Sequence, residues 1–130
     1  MQLYLVRHAE AAPGRPDELR PLTPKGRRAA RELGKRLRAR GVRVDAVLSS
    51  PLLRACQTAE AIAGELGARA EPTELLAPGA TDADLIAAAD GRGEVVVAVG
   101  HQPDCGKIAV ALGAGPEPPF PPGGVALLEL

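Results

Sequence analysis

Val95-Val96-Val97-Ala98-Val99, followed at once by Gly100-His101-Gln102-Pro103, is the stretch that decides the fold. Its lack of polar alternation marks a strand covered on both faces, and such strands belong to parallel sheets sandwiched between helices. Two further short apolar runs lie upstream: Leu3-Tyr4-Leu5-Val6, and Asp45 to Ser50 with its Ala46-Val47-Leu48 core. Between them, Thr23-Pro24 announces a helix, since threonine can cap the free amides and proline at the first position gives up a donor that has no partner there. The spacing predicts that this helix runs to about Arg40, with Ala30, Leu33 and Leu37 on one face and Gly41 as its stop.

A second helix is expected to begin around Pro51 to Leu53 and to end at Leu66 before Gly67, with Ala55, Ala59, Ile62 and Leu66 turned inward. Glu71 to Leu76 reads as a short strand interrupted by Pro72. Thr81, with Asp84 three residues on, caps a short helix ending near Ala89. After the valine-rich strand come a helix from about Asp104 to Leu112, a Pro- and Gly-rich connection from Gly113 to Gly123, and a last strand from Val125 to Leu130. Ala11 to Pro21, with three prolines and Gly14, reads as an irregular loop. Strands alternating with helices predict a three-layer α/β fold around a mostly parallel sheet, a single domain over residues 1–130.

Composition narrows the function. The chain of 130 residues carries 16 basic and 16 acidic side chains and 2% aromatic residues, Tyr4 and Phe120. A nucleic-acid binder should show more positive bias and more stacking surface, so no nucleic-acid partner is expected. Eleven of the 16 basic residues fall between Arg15 and Arg43, which reads as a solvated helix face or as a patch that steers anions. Cys56 and Cys105 are too few for a disulfide scaffold and lack metal-ligand spacing, so free thiols in a reducing compartment are expected. No apolar run approaches the roughly 18 residues of a membrane span, and the chain opens directly on a strand pattern. The expectation is a cytoplasmic monomer with no membrane partner.

The chemistry lies at the strand ends. Arg7-His8 follows the first strand, Ser49-Ser50-Pro51-Leu52-Leu53-Arg54 the second, and Gly100-His101 the valine-rich one. Parallel strands present their carboxyl ends on one edge, where open α/β sheets bind ligands, so three distant segments should converge. A lone histidine there is ordinarily a loop residue bonding to the backbone; both histidines of the chain together with two arginines suggest more. Two imidazoles and two guanidiniums without a carboxylate cluster suit an oxyanion better than a metal, and phosphate matches the guanidinium fork. Ser49 and Ser50 read as loop caps, with phosphate contact as the alternative.

Leu5-Val6-Arg7-His8-Ala9-Glu10 resembles the Arg-His-Gly signature of the histidine phosphatase superfamily, whose members include cofactor-dependent phosphoglycerate mutases and many phosphatases. The supporting matches are Arg20-Pro21-Leu22-Thr23-Pro24-Lys25-Gly26, Asp45 to Pro51, Arg54-Ala55-Cys56-Gln57-Thr58-Ala59 and Val99-Gly100-His101-Gln102-Pro103, in family order. Ala9 in place of the superfamily glycine makes the chain more similar to the small SixA-type phosphohistidine phosphatases. The resemblance implies that His8 is the phosphoryl-accepting nucleophile, that Arg7 and Arg54 bind nonbridging oxygens, that His101 donates a further hydrogen bond, and that neither a metal nor a cofactor is used.

Larger superfamily members carry a general acid in an inserted segment for which this chain has no room. Glu74 and Glu10 are the candidates, each also readable as structural. A site poor in acids favours phosphohistidine, whose ring can carry its own proton, over an alkyl phosphate. The implied partner is therefore a phosphohistidine-containing protein, with a small phosphorylated molecule as the alternative substrate. A phosphate- or phosphoprotein-binding module without turnover is the reading from a different class. Family members generally continue past the last strand found here, so the resemblance leaves two readings of the ending at Leu130: a naturally short segment or an absent tail.

Overall fold

In the computed structural model, which describes residues 1–113 and 115–130, five strands form one sheet in the order β3-β2-β4-β1-β5. The strands are β1 (Gln2–Arg7), β2 (Ala46–Ser49), β3 (Ala70–Pro72), β4 (Val95–Gly100) and β5 (Val125–Glu129); the helices are α1 (Pro24–Ala39), α2 (Leu53–Leu66), α3 (Asp82–Ala89) and α4 (Asp104–Ala111). Pairs β1–β4, β2–β4 and β2–β3 are parallel, whereas β5 runs antiparallel to β1. The accessible surface, 6631 Å², is close to the roughly 6,500 Å² that size scaling gives for this mass.

Along β4 the faces alternate while both stay apolar. Val97 and Val99 join Leu33 and Leu37 of α1 and Ala55, Ala59 and Ile62 of α2 in one core cluster. Val96 and Ala98 join Leu85 and Ala89 of α3 and Ile108 and Ala109 of α4 in another. The unbroken valine run therefore reflects two covered faces. Chain leaving β1 and β2 crosses the first face, and chain leaving β4 crosses the second, so a crevice opens at the carboxyl end of β4.

Local signals act as expected at most helix ends. Thr23 Oγ1 accepts from Gly26 N, Thr81 and Asp84 form a reciprocal capping box, and Gly67 ends α2 in the left-handed region at φ 68°. Gly34 permits close packing of α1 on α2, because a Cβ there would lie 2.8 Å from Glu65 Cβ.

Three differences from the sequence reading have physical causes. The strand expected over Glu71 to Leu76 is Ala70–Pro72 only, since Thr73 Oγ1 accepts from Leu75 N and turns Glu74–Leu76 into a 3-10 helix. The loop Ala11 to Pro21 contains a 3-10 turn at Asp17–Leu19 and an isolated bridge from Ala11 to Leu22. Leu66 is half-buried at the rim of its cluster rather than central. In the connection Gly113 to Gly123, Ala114 lies outside the described residues. Among the described residues no helix is long and apolar enough to cross a membrane. Both cysteines are free, and burial pushes the Cys105 thiol up to about 12, which makes it chemically inert.

Candidate active site

Strand register brings the two histidines together. Arg7 of β1 pairs with Gly100 of β4, so the residues immediately beyond, His8 and His101, leave neighbouring strands at the same level. His8 N donates to Gly100 O at 3.0 Å, and the imidazole centroids are 5.3 Å apart with planes inclined at 58°. From β2, one strand away on the other side of β4, come Ser50 and the first turn of α2 with Arg54.

His8 Nδ1 lies 2.7 Å from Ala9 O. A carbonyl can only accept, so Nδ1 carries the hydrogen and Nε2 keeps its lone pair. The His8 pKa is lowered, first by burial and then by the Arg54, Arg7 and Arg20 charges, against the raising effect of the Ala9 hydrogen bond. His101 is 5% exposed and its pKa falls to about 4, chiefly through burial and then through the His8 and Arg54 charges. Both imidazoles are therefore neutral at neutral pH. His101 Nε2 sits 2.7 Å from Ser50 Oγ, and Ser50 Oγ accepts from Leu52 N at 3.2 Å.

Each guanidinium is held from one side. Arg7 Nη1 donates to Phe120 O at 3.0 Å, while its Nε is buried without an acceptor among the described residues. Arg54, 8% exposed, donates from Nη1 to Asp17 O at 2.9 Å and from Nη2 to Asp17 Oδ2 at 3.1 Å. Thr58, fully buried, joins these parts: its Oγ1 accepts from Ala9 N at 3.0 Å and donates to Arg54 O at 2.8 Å. The peptide after His8 is thereby tied to the helix that carries Arg54. Gly26 completes the support, because a Cβ there would lie 2.2 Å from Glu10 O.

The two candidate acids fare differently. Glu10 Oε1 accepts from Thr23 Oγ1 at 2.9 Å and Oε2 lies 3.9 Å from Lys25 Nζ, so this carboxylate braces the Thr23 cap of α1. Glu74 is exposed at the carboxyl edge beyond β3, and its carboxylate takes part in no hydrogen bond or ion pair among the described residues. Sequence reasoning gave no site role to Asp17, nor to Arg20, which it read only as the start of a matched segment. Asp17 Oδ1 accepts from Arg20 Nη1 at 2.9 Å, and Arg20 Nε donates to Ala12 O at 2.9 Å. Both guanidiniums hold the Asp17 carboxyl below the usual carboxylate range, Arg20 more strongly than Arg54. The available signal was their place between the Arg-His segment and the helix cap, in a loop that periodicity cannot read.

The family model for the histidine phosphatase superfamily, branch 1, matches residues 3–77. The chain belongs to that superfamily. It is 33% identical over 127 residues to phosphohistidine phosphatase SixA of Escherichia coli (strain K12), covering 92% of this chain and 79% of that one. An uncharacterized protein of Picosynechococcus sp. is 41% identical over 126 residues, covering 88% of this chain and 74% of the relative. Among solved structures, the protein histidine phosphatase SixA complexed with tungstate superposes with a TM-score of 0.89 at 30% identity, covering 100% of this chain and 88% of that one. The fold and the family are thus those the Arg7-His8 segment suggested.

Proposed function

We propose that this histidine phosphatase superfamily member hydrolyses phosphohistidine on a partner protein through a phosphoryl intermediate on His8, with no metal taking part. The observation that carries the reading is the fixed tautomer of His8: Nδ1 is occupied by Ala9 O, which leaves the Nε2 lone pair free on a ring that lies beside His101 and feels the charges of Arg54 and Arg7. Tungstate on the SixA relative, a tetrahedral oxyanion like phosphate, supports an oxyanion in this crevice.

In the first step the Nε2 lone pair attacks phosphorus, the P–N bond to the substrate imidazole breaks, and that ring leaves neutral with the proton it already carries on its other nitrogen. Arg7 and Arg54 take the nonbridging oxygens through charge-assisted hydrogen bonds, each worth about 1.5–3 kcal/mol. In the productive tautomer the Ser50 hydroxyl, which accepts from Leu52 N–H, donates to His101 Nε2 2.7 Å away. That leaves His101 Nδ1–H to donate to the phosphoryl group, an electrostatic contribution strongest where charge builds up. In the second step water attacks phosphorus, the P–N bond to His8 breaks, and phosphate leaves with His8 neutral again.

The carboxylates at the edge fit this substrate class. Asp17 is held ionised by two arginines, and Glu10 is engaged with Thr23 and Lys25. Of the two candidate acids, this leaves exposed Glu74 for an alkoxide leaving group. A substrate panel assayed with chelator should show turnover of a phosphohistidine peptide and of p-nitrophenyl phosphate, with alkyl phosphates far slower and H8A inactive throughout. Comparable turnover of an unactivated alkyl phosphate would move the assignment to a small-molecule phosphomonoesterase. Phosphate binding without any turnover would make the chain a binding module.

A further inference from the structure

We infer that Asp17 is a positioning residue, which grips the outer fork of Arg54 so that the other edge of the guanidinium faces the phosphoryl group, and which holds Arg20 beside it as a third cation. The inference rests on the reading of this cluster as a phosphoryl site. Guanidinium presents five N–H groups in a rigid fork. Asp17 takes one hydrogen of Nη1 with its backbone oxygen and one of Nη2 with Oδ2. The Nε–H and the second Nη2–H lie side by side and parallel, and they are left as a pair that fits two oxygens of a tetrahedral anion. One residue therefore satisfies the edge of Arg54 that points away and leaves intact the edge suited to phosphate.

The opposite role is also conceivable on electrostatic grounds, because a carboxylate beside Arg54 competes with phosphate for positive charge. Exposure decides between the two. The Asp17 side chain is 61% exposed, so water screens its repulsion of an incoming anion, whereas the Arg54 side chain it grips is only 9% exposed. The directional contact outweighs the screened charge. Arg20 reinforces the arrangement: Nε is spent on Ala12 O and one Nη1 hydrogen on Asp17 Oδ1, while its charge still reaches His8 and helps keep that ring neutral. Asp17 itself does not donate a proton, since its carboxyl stays ionised at neutral pH.

The test is the Kd for inorganic phosphate, by calorimetry or phosphorus NMR, together with kcat and KM on p-nitrophenyl phosphate and a phosphohistidine peptide, for wild type, D17N and D17A. Matching far-UV circular dichroism and unfolding midpoints establish that each variant is folded. D17A should weaken phosphate binding and lower kcat/KM by about 10- to 100-fold, the range of one or two lost charge-assisted contacts. D17N, which keeps one acceptor oxygen, should lose less. The loss should be equal for the two substrates, because Asp17 acts on the transferred group and not on the leaving group. Phosphate binding by D17A as tight as wild type or tighter overturns the inference, as does a loss confined to the substrate with the poorer leaving group. Wild-type protein that binds no phosphate overturns the functional reading first, and the inference with it.

Discussion

Replacing Thr58 with valine removes one hydroxyl from the centre of the site while keeping the volume of the side chain. Thr58 is fully buried, and its Oγ1 is the acceptor for Ala9 N–H, in a residue that is itself fully buried. Valine leaves that N–H without a partner, at a cost of about 1–3 kcal/mol. The other lost contact, to Arg54 O, adds little because that carbonyl also accepts the backbone N–H of the α-helix. At roughly 3–5 °C per kcal/mol for a chain of this size, the midpoint of thermal unfolding should fall by about 3–15 °C. Freed from α2, the His8-Ala9 peptide no longer shares a fixed point with Arg54, and a displacement near 1 Å lowers rates by about 100-fold. Thr58→Ser is the control: it loses a buried methyl, worth about 1 kcal/mol, but keeps the hydroxyl. Denaturant titration paired with kcat/KM on p-nitrophenyl phosphate should show T58V at least 10-fold down and T58S within about 3-fold of wild type. Wild-type activity in T58V, or an equal loss in T58S, would refute the role given to this hydroxyl.

Gly26→Ala should destabilise the protein by about 1–3 kcal/mol, because the new Cβ would lie 2.2 Å from Glu10 O. Helix propensity alone predicts a gain of about 1 kcal/mol, so the sign of the shift in denaturation midpoint separates the two effects. His101 binds its proton at about pH 4 in the folded chain and near 6.5 when unfolded. The unfolded state therefore takes up more protons in that window, and stability is lost as pH falls from 6.5 toward 4, by up to about 3 kcal/mol from this group. Denaturation across pH 4–7 should show that slope diminished in H101Q. For the same reason the midpoint of any acid-side loss of kcat/KM should lie below pH 6.5, and a midpoint above pH 6.5 would contradict the neutral imidazole pair.

Much of the scaffold could be read from local residues. The Thr23-Pro24 cap and the Gly67 stop act through contacts within a turn, and the valine run declares its two covered faces by its lack of polar alternation, so their consequences follow from sequence alone. The meeting of His8, Arg54 and His101 was legible because parallel strands leave their carboxyl ends on one edge. The Asp17–Arg54 contact was not, since it spans 37 positions and starts in a Pro- and Gly-rich loop without periodicity. Nor does the apolar pattern of Val125 to Glu129 encode direction: β5 runs antiparallel because the connection after α4 brings Phe120 and Gly123 back to Arg7 at the carboxyl end of β1 before the strand begins. At Glu74–Leu76 a threonine side chain competed with the sheet for a backbone amide and won, a contest that strand propensity does not score.

The most direct measurement is rapid mixing of the protein with excess phosphohistidine peptide, an alkaline quench that preserves the phosphoryl–nitrogen bond, and peptide mass spectrometry. The account predicts one phosphoryl group on His8, formed and lost at rates that match turnover, and none in H8A, which should be inactive. Turnover that persists in H8A, or a phosphoryl group carried by any other residue at those rates, would contradict it.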